Sequence, residues 1–341
     1  MLIAAGGTGG HVFPALALAD ELMRRGHSVA WLGRPDSLES RVAAGHGHEF
    51  EPVPAAGLFG KRMSYKLRWP WITLRGAARA CRVLRRRRPD ALVAAGGFVS
   101  APALFCARAA GLPYFLLEQN RVPGRVTRLF AGSAKVCFLT FPLVEPIRAA
   151  CSVTGSPLRP ALAAGGRSDD GRTVLVLGGS GGARVLNFAA IESARALPEY
   201  HFVVLTGRRD HKLIRSQDVP ANCELVEFTE APEELYRRAT LAVSRAGGMV
   251  LSELVVFGIP AILIPFPHAT DNHQDANARH LESVGAAIVL DQDRLPGLTA
   301  MIDELMSGAE RRREMSDAAG AVGRPDAAAD IVERIERCLA A

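Results

Sequence analysis

The chain has 341 residues, and several features that would assign its class directly are missing. No uninterrupted apolar run approaches the roughly 20 residues that cross a bilayer, so no transmembrane helix is expected. A basic-then-apolar leader is missing as well, because glycine interrupts the start at Gly6. The six cysteines (Cys81, Cys106, Cys137, Cys151, Cys223 and Cys338) contain no C-x-x-C pair. Their scatter argues against a zinc site or disulfide framework and for buried thiols in a reducing compartment. No Gly-Lys-Ser/Thr follows the first glycine loop, which excludes a Walker A phosphate site there.

What is present fits a soluble globular protein: 48% apolar and 22% charged residues, with length enough for two domains. The net charge of +6 is uneven. Residues 1–150 carry 21 Lys+Arg against 9 Asp+Glu, a net of +12, and the remainder carry 20 against 26, a net of −6.

The chain is organised around Gly6, Gly7, Thr8, Gly9, Gly10 and His11. An apolar strand (1–5) precedes them and a helical pattern (12–25) follows. Glycine lets a ligand approach the backbone, and a helix N-terminus behind it offers N–H groups to an anion. With a second strand at 29–32 this is a βαβ unit, which implies a parallel sheet. A dinucleotide site is disfavoured. Val12 occupies the third glycine's place in G-x-G-x-x-G, and Arg34 stands where a ribose-binding acid belongs. Gly96 and Gly97 form a second such turn after a strand at 91–94. A strand at 114–117 then delivers Glu118, Gln119 and Asn120 to a sheet's carboxyl edge, where open α/β sheets bind ligands.

A last short strand at 153–155, then Pro157, Pro160 and a polar stretch at 163–171, mark a boundary. The second half repeats the pattern: strand 173–177, glycine loop 178–182 and helix 183–197. A turn at 245–248 leads into a helix carrying Ser252 and Glu253, an acid placed to accept ribose hydroxyls. Gln274 and Asn277 share one helical face and suit sugar hydroxyls. Asp291-Gln292-Asp293 could hold a metal-bound diphosphate, but a loop or helix cap is favoured. His46 and His48 read as exposed loop. Residues 327–339 form an amphipathic helix.

The segment 59–88 differs from its surroundings. Leu67, Trp69, Trp71 and Ile72 stand among basic residues, and Arg75, Arg79, Arg82 and Arg86 recur on one helical face. Leu74, Ala77, Ala78, Cys81 and Leu84 are expected on another. Apolar groups ringed by arginines suit an anionic lipid surface, with a nucleic-acid surface or a solvated basic helix as rivals.

Taken in order, GGTGGH (6–11), GGFVSAP (96–102), EQN (118–120), TGSPLR (154–159), GGSGGA (178–183), SRAGGMVLSE (244–253) and HQDANA (273–278) resemble the MurG family of bacterial N-acetylglucosaminyltransferases. The resemblance implies an α/β chain of GT-B fold, with two Rossmann-like domains at 1–156 and 157–325 facing a cleft. A last helix, about 326–341, returns to the first domain. It implies inverting transfer of N-acetylglucosamine from UDP-GlcNAc to the muramyl 4-hydroxyl of the lipid I acceptor. UDP-GlcNAc is a co-substrate, and neither a cofactor nor an essential metal is expected. Thr8, Gly9, Gly10, Asn120, Arg159, Ser180, Thr229, Gly248, Met249, Val250, Leu251, Ser252, Glu253, Gln274 and Asn277 are the implied donor site. Gly6, Gly7, Gly96 and Gly97 would face the acceptor pyrophosphate. His11 is the expected base, imidazole being the side chain that titrates nearest neutrality, with Glu118 the alternative.

Leu67, Trp69, Trp71, Ile72, Arg75, Arg79 and Arg82 would contact an anionic membrane at its cytoplasmic face. Proteins of cell-wall synthesis or division are the expected partners, and nucleic acid is not. Two departures stand out: Leu117 replaces the family's usual histidine and Gly181 its usual glutamine. A transferase for another acceptor and a non-enzymatic nucleotide-sugar-binding protein are the alternatives.

Overall fold

A computed structural model of the chain describes residues 1–55, 63–168, 170–179 and 182–340; for 63–69 only the backbone is described. It divides into two compact units, Met1–Arg159 with Asp326–Ala341, and Pro160–Pro325.

The first unit is built on seven strands: β1 (Leu2–Ala4), β2 (Ala30–Gly33), β3 (Glu49–Pro52), β4 (Leu92–Ala94), β5 (Tyr114–Glu118), β6 (Val136–Leu139) and β7 (Cys151–Val153). Its helices are α1 (Gly9–Arg24), α2 (Leu38–Gly45), α3 (Met63–Arg87), α4 (Ala101–Ala109) and α5 (Arg125–Phe130). All strand pairs are parallel, in the order β3-β2-β1-β4-β5-β6-β7. Strand order therefore reverses between β1 and β4, and both glycine turns leave the sheet at that point.

Because side chains alternate along a strand, each central strand feeds two cores. Ile3, Trp31, Val93 and Phe115 meet Val12, Leu16 and Leu22 of α1 on one face. Leu2, Leu32, Leu92 and Tyr114 meet Val83 and Leu84 of α3 on the other.

The second unit has β8 (Thr173–Leu177), β9 (His201–Leu205), β10 (Cys223–Val226), β11 (Leu241–Ser244), β12 (Ala261–Leu263) and β13 (Ala287–Val289). These are parallel in the order β10-β9-β8-β11-β12-β13, with the reversal between β8 and β11. Its helices are α6 (Pro160–Ala163), α7 (Arg184–Ala196), α8 (His211–Arg215), α9 (Pro232–Arg238), α10 (Gly248–Val256), α11 (His273–Ser283), α12 (Leu298–Ser307) and α13 (Ala309–Val322). The chain then returns to the first unit as α14 (Ala327–Ala340). There Ile331, Val332 and Ile335 are fully buried, and Glu336 pairs with Arg25 at 3.0 Å and His27 at 2.9 Å.

Several expectations are corrected. Three strands, β3, β6 and β10, went unread; Glu49, Glu51 and Glu224 break the apolar pattern of two of them. The strand expected at 153–155 ends at Val153. Along α3 the buried side is Gly76, Ala80, Val83 and Leu84, whereas Leu74 and Ala78 are exposed. Gly76 is needed there, since a Cβ would sit 2.1 Å from the Pro54 carbonyl oxygen. Arg86 leaves the basic stripe to pair with Glu51 of β3.

The cysteines are not all thiols. Cys81 of α3 and Cys106 of α4 form a disulfide with Cα atoms 5.3 Å apart, brought together by packing that linear spacing does not reveal. The bond encloses β4 and the second glycine turn. Closing a loop of 25 residues restricts the unfolded chain by about 3 kcal/mol. Urea unfolding of Cys81→Ser is therefore expected to show a lower midpoint, with a slope at least as steep because the freed unfolded chain exposes more surface. An unchanged midpoint would show that the bond contributes nothing.

Candidate active site

In the first unit the turn after β1 leads directly into α1, whose N-cap is Thr8 with no side-chain cap and no acid in the first turn. Its leading N–H groups are thus directed at whatever lies before Gly9. Thr8 does something else with its hydroxyl: Oγ1 lies 3.2 Å from His11 Nδ1, which orients the imidazole. The second glycine turn crosses the ring. A Cβ on Gly96 would fall 3.1 Å from His11 Cδ2, and one on Gly97 would fall 2.7 Å from the Gly6 carbonyl oxygen. Both glycines also have positive φ, 86° and 73°. Only glycine lets the two turns close over His11. Ser100 secures the second turn by donating to the carbonyls of Gly96 and Gly97.

Glu118, offered as an alternative base, is engaged elsewhere. Its carboxylate is 4% exposed and accepts from Asn120 N (3.1 Å), Gly124 N (2.9 Å) and Thr127 Oγ1 (2.7 Å). Burial pushes its pKa above the ordinary carboxylate range, against the pull of those donors. It braces the loop that presents Asn120. Leu117 lies in the core, 2% exposed. Arg159 falls within the first unit, its guanidinium over the Phe13 ring of α1 at 5.8 Å. Sequence reasoning overlooked Glu39. It is fully buried behind the first turn, with Oε1 accepting from Arg34 N at 3.3 Å. Only the capping box of Ser37 and Ser40 signalled that helix start.

In the second unit, α10 begins at the carboxyl end of β11, again with no side-chain cap and no acid in its first turn. Gly248 and Met249 occupy that turn, with Val250 half-exposed and Leu251 in the core. The Ser252 hydroxyl donates to Gly248 O at 2.9 Å, within the helix. Glu253 lies in the helix's second turn, 8% exposed, and Tyr236 of α9 donates to its Oε2 at 2.5 Å. Burial and the neighbouring carboxylate push the Tyr236 phenol well above its ordinary pKa, so it stays a donor.

Gln274 Oε1 accepts from Ala246 N (3.3 Å) and Phe266 N (2.9 Å), while Asn277 Nδ2 donates to Ala246 O at 3.1 Å. Two N–H donors on one oxygen fix the Gln274 amide orientation and turn its NH2 group away from them. Arg245, also unforeseen, is 8% exposed. It donates to the carbonyls of Ile264 and Pro265 and to Gln292, holding the carboxyl ends of β11 and β12 together. Thr229 is half-buried at the sheet edge, its hydroxyl accepting from Ala231 N ahead of α9. Ser180 and Gly181 lie outside the described residues. Asp291 pairs with Arg279 at 3.0 Å, in keeping with a loop role for that triplet.

Each unit thus places glycine turns and an uncapped helix start at its strand-order reversal. Comparison with known proteins matches residues 1–138 to the glycosyltransferase family 28 N-terminal domain and 173–333 to the family 28 C-terminal domain. A relative from Methylococcus capsulatus is 38% identical over 98% of this chain and 97% of its own length. Its name is UDP-N-acetylglucosamine–N-acetylmuramyl-(pentapeptide) pyrophosphoryl-undecaprenol N-acetylglucosamine transferase. A relative from Myxococcus xanthus with the same name is 37% identical over 98% of this chain and 91% of its own. The chain belongs to the MurG family of glycosyltransferases. The crystal structure of Acinetobacter baumannii MurG superposes with a TM-score of 0.82 at 28% identity, covering 99% of both chains. Both units are therefore the Rossmann-like domains of a GT-B glycosyltransferase.

Proposed function

We infer that this protein transfers N-acetylglucosamine from UDP-GlcNAc to the muramyl 4-hydroxyl of undecaprenyl-pyrophosphoryl-MurNAc-pentapeptide, giving lipid II and UDP with inversion. The observation that carries this is 38% identity, over nearly the full length of both chains, to a transferase named for that reaction. Mixing the protein with UDP-GlcNAc and a lipid I analogue tests it. UDP should appear only when both are present; release without acceptor, or none with it, counts against the assignment.

In this scheme the first unit takes the acceptor. The Gly6-Gly7 and Gly96-Gly97 turns and the start of α1 receive the pyrophosphate, and His11 removes the proton from the attacking hydroxyl. Thr8 and the glycine backbones hold the ring in place for that step. The second unit takes the donor. Negative charge grows on the leaving diphosphate, and the N–H groups opening α10 stabilise it with no reorganisation. Glu253, steadied by Tyr236, accepts ribose hydroxyls. Gln274 offers its NH2 to the sugar, because its oxygen is already committed. No metal is needed for this charge stabilisation.

The lipid acceptor requires a membrane, and α3 supplies the means to reach one. Among the described residues no helix is long and apolar enough to cross a bilayer. Trp71 is 69% and Leu74 61% exposed on α3, with Arg75 and Arg82 exposed and Ile72 and Arg79 half-buried beside them. The side chains of Leu67 and Trp69 lie outside those described. Two exposed apolar groups that sequence reasoning overlooked, Phe105 of α4 and Leu129 of α5, belong to the same unit. Leu129 borders a cavity of about 440 Å³ also lined by Arg108, Arg128 and Arg148. Apolar groups beside cations fit the anionic cytoplasmic leaflet. The double variant Trp71→Ser, Leu74→Ser is expected to lose most sedimentation with anionic vesicles and to keep turnover on a water-soluble acceptor. Undiminished vesicle binding would remove α3 from the membrane surface.

A further inference from the structure

We propose that Asp20, His46 and His48 form a binding site for one divalent transition cation of the zinc class. His48 Nε2 lies 2.9 Å from Asp20 Oδ1 and His46 Nδ1 3.9 Å from Asp20 Oδ2. One ligand atom from each of the three lies within 4.8 Å of the others. The two imidazoles are nearly parallel, 8° apart with centroids at 6.2 Å, so both present an edge to the same carboxylate.

The local chain is built to hold them so. His46 caps the carboxyl end of α2, Gly47 takes a φ of +71°, and His48 N returns to the Ala43 carbonyl at 2.9 Å. The glycine reverses the chain, which turns both histidines toward Asp20 on α1. The negative end of the α2 dipole adds to the attraction for a cation. His48 was expected in exposed loop, but its side chain is only 1% exposed and cannot wander.

Donor chemistry selects the ion. Two imidazole nitrogens and one carboxylate oxygen suit zinc and its neighbours, whereas magnesium and calcium prefer oxygen throughout. Ligand atoms at about 2.0–2.1 Å from a tetrahedral ion stand roughly 3.3 Å from one another. The three ligand atoms, within 4.8 Å of one another, close to that spacing by rotation of His46, whose side chain is 45% exposed. Solvent supplies the remaining ligand. Binding at His48 Nε2 replaces its hydrogen bond to Asp20 and leaves the neutral ring's proton on Nδ1. His48 Nδ1 is buried without a hydrogen-bond partner, so the site lacks the outer carboxylate that strengthens many zinc sites.

The site lies at the amino ends of the strands, just before β3, whereas the glycine turns lie at the carboxyl ends. Its role is to fasten α1 to the α2–β3 connection, apart from the transfer chemistry. The test uses the full chain freed of metal by chelation, titrated with Zn2+ by calorimetry and with Co2+ by visible absorption. One ion per chain is expected, with cobalt d–d bands and no sulfur-to-metal charge transfer. His46→Ala, at an exposed position, should weaken binding by about tenfold or more. It should also abolish the zinc-induced rise in Tm while leaving the circular dichroism unchanged; Asp20→Asn should do likewise. No binding by the parent chain, titration of both variants like the parent, or a dominant sulfur band would overturn the proposal.

Discussion

His11→Ala is expected to lower kcat by about 10³-fold, the middle of the range for a lost general base. The KM for UDP-GlcNAc should hardly move, because the proposed donor contacts of Glu253 and Gln274 belong to the other compact unit. Alanine also empties the space under Gly96 and Gly97, so a loosened turn could imitate a lost base. His11→Gln separates the two. It keeps bulk beneath the turn and a polar group for Thr8, yet accepts no proton at neutral pH. A comparable loss in both variants identifies proton transfer. Near-normal kcat in His11→Gln would reduce His11 to a brace for the glycine turns.

Glu253→Ala should act on the other substrate, raising KM for UDP-GlcNAc by roughly 10- to 100-fold. That corresponds to a charge-assisted hydrogen bond of about 1.5–3 kcal/mol. The same substitution orphans the Tyr236 hydroxyl, which is buried at 3% exposure, so part of any loss is structural. UDP and its 2′- and 3′-deoxy analogues distinguish the causes. The parent enzyme should prefer the full ribose, and Glu253→Ala should bind at least one deoxy analogue as well as UDP. Preserved discrimination would mean that another group reads the ribose.

The sequence announced some of this site and hid the rest, for physical reasons. Glycine turns and buried strands are local signals, so Gly6 to His11, Gly96 and Gly97, and the entry to α10 were legible. So was α14, whose Ile331, Val332 and Ile335 have helical spacing. Partnerships across the fold were not. Nothing linear says that Tyr236 reaches Glu253 or that Glu118 is occupied by the loop it supports. The convergence of Cys81 on Cys106, and of His46 and His48 on Asp20, was equally hidden. Buried charge was hidden too: Glu39 and Arg245 are each buried beside the carboxyl end of a strand, held by backbone groups that only the folded sheet brings near.

The decisive measurement is the linkage formed in a single reaction. With UDP-GlcNAc and a lipid I analogue, NMR of the isolated product should show one N-acetylglucosamine joined β to the muramyl O4, with one UDP released per disaccharide. An α linkage, a different acceptor oxygen, or UDP release without disaccharide would contradict an inverting transfer to the muramyl 4-hydroxyl.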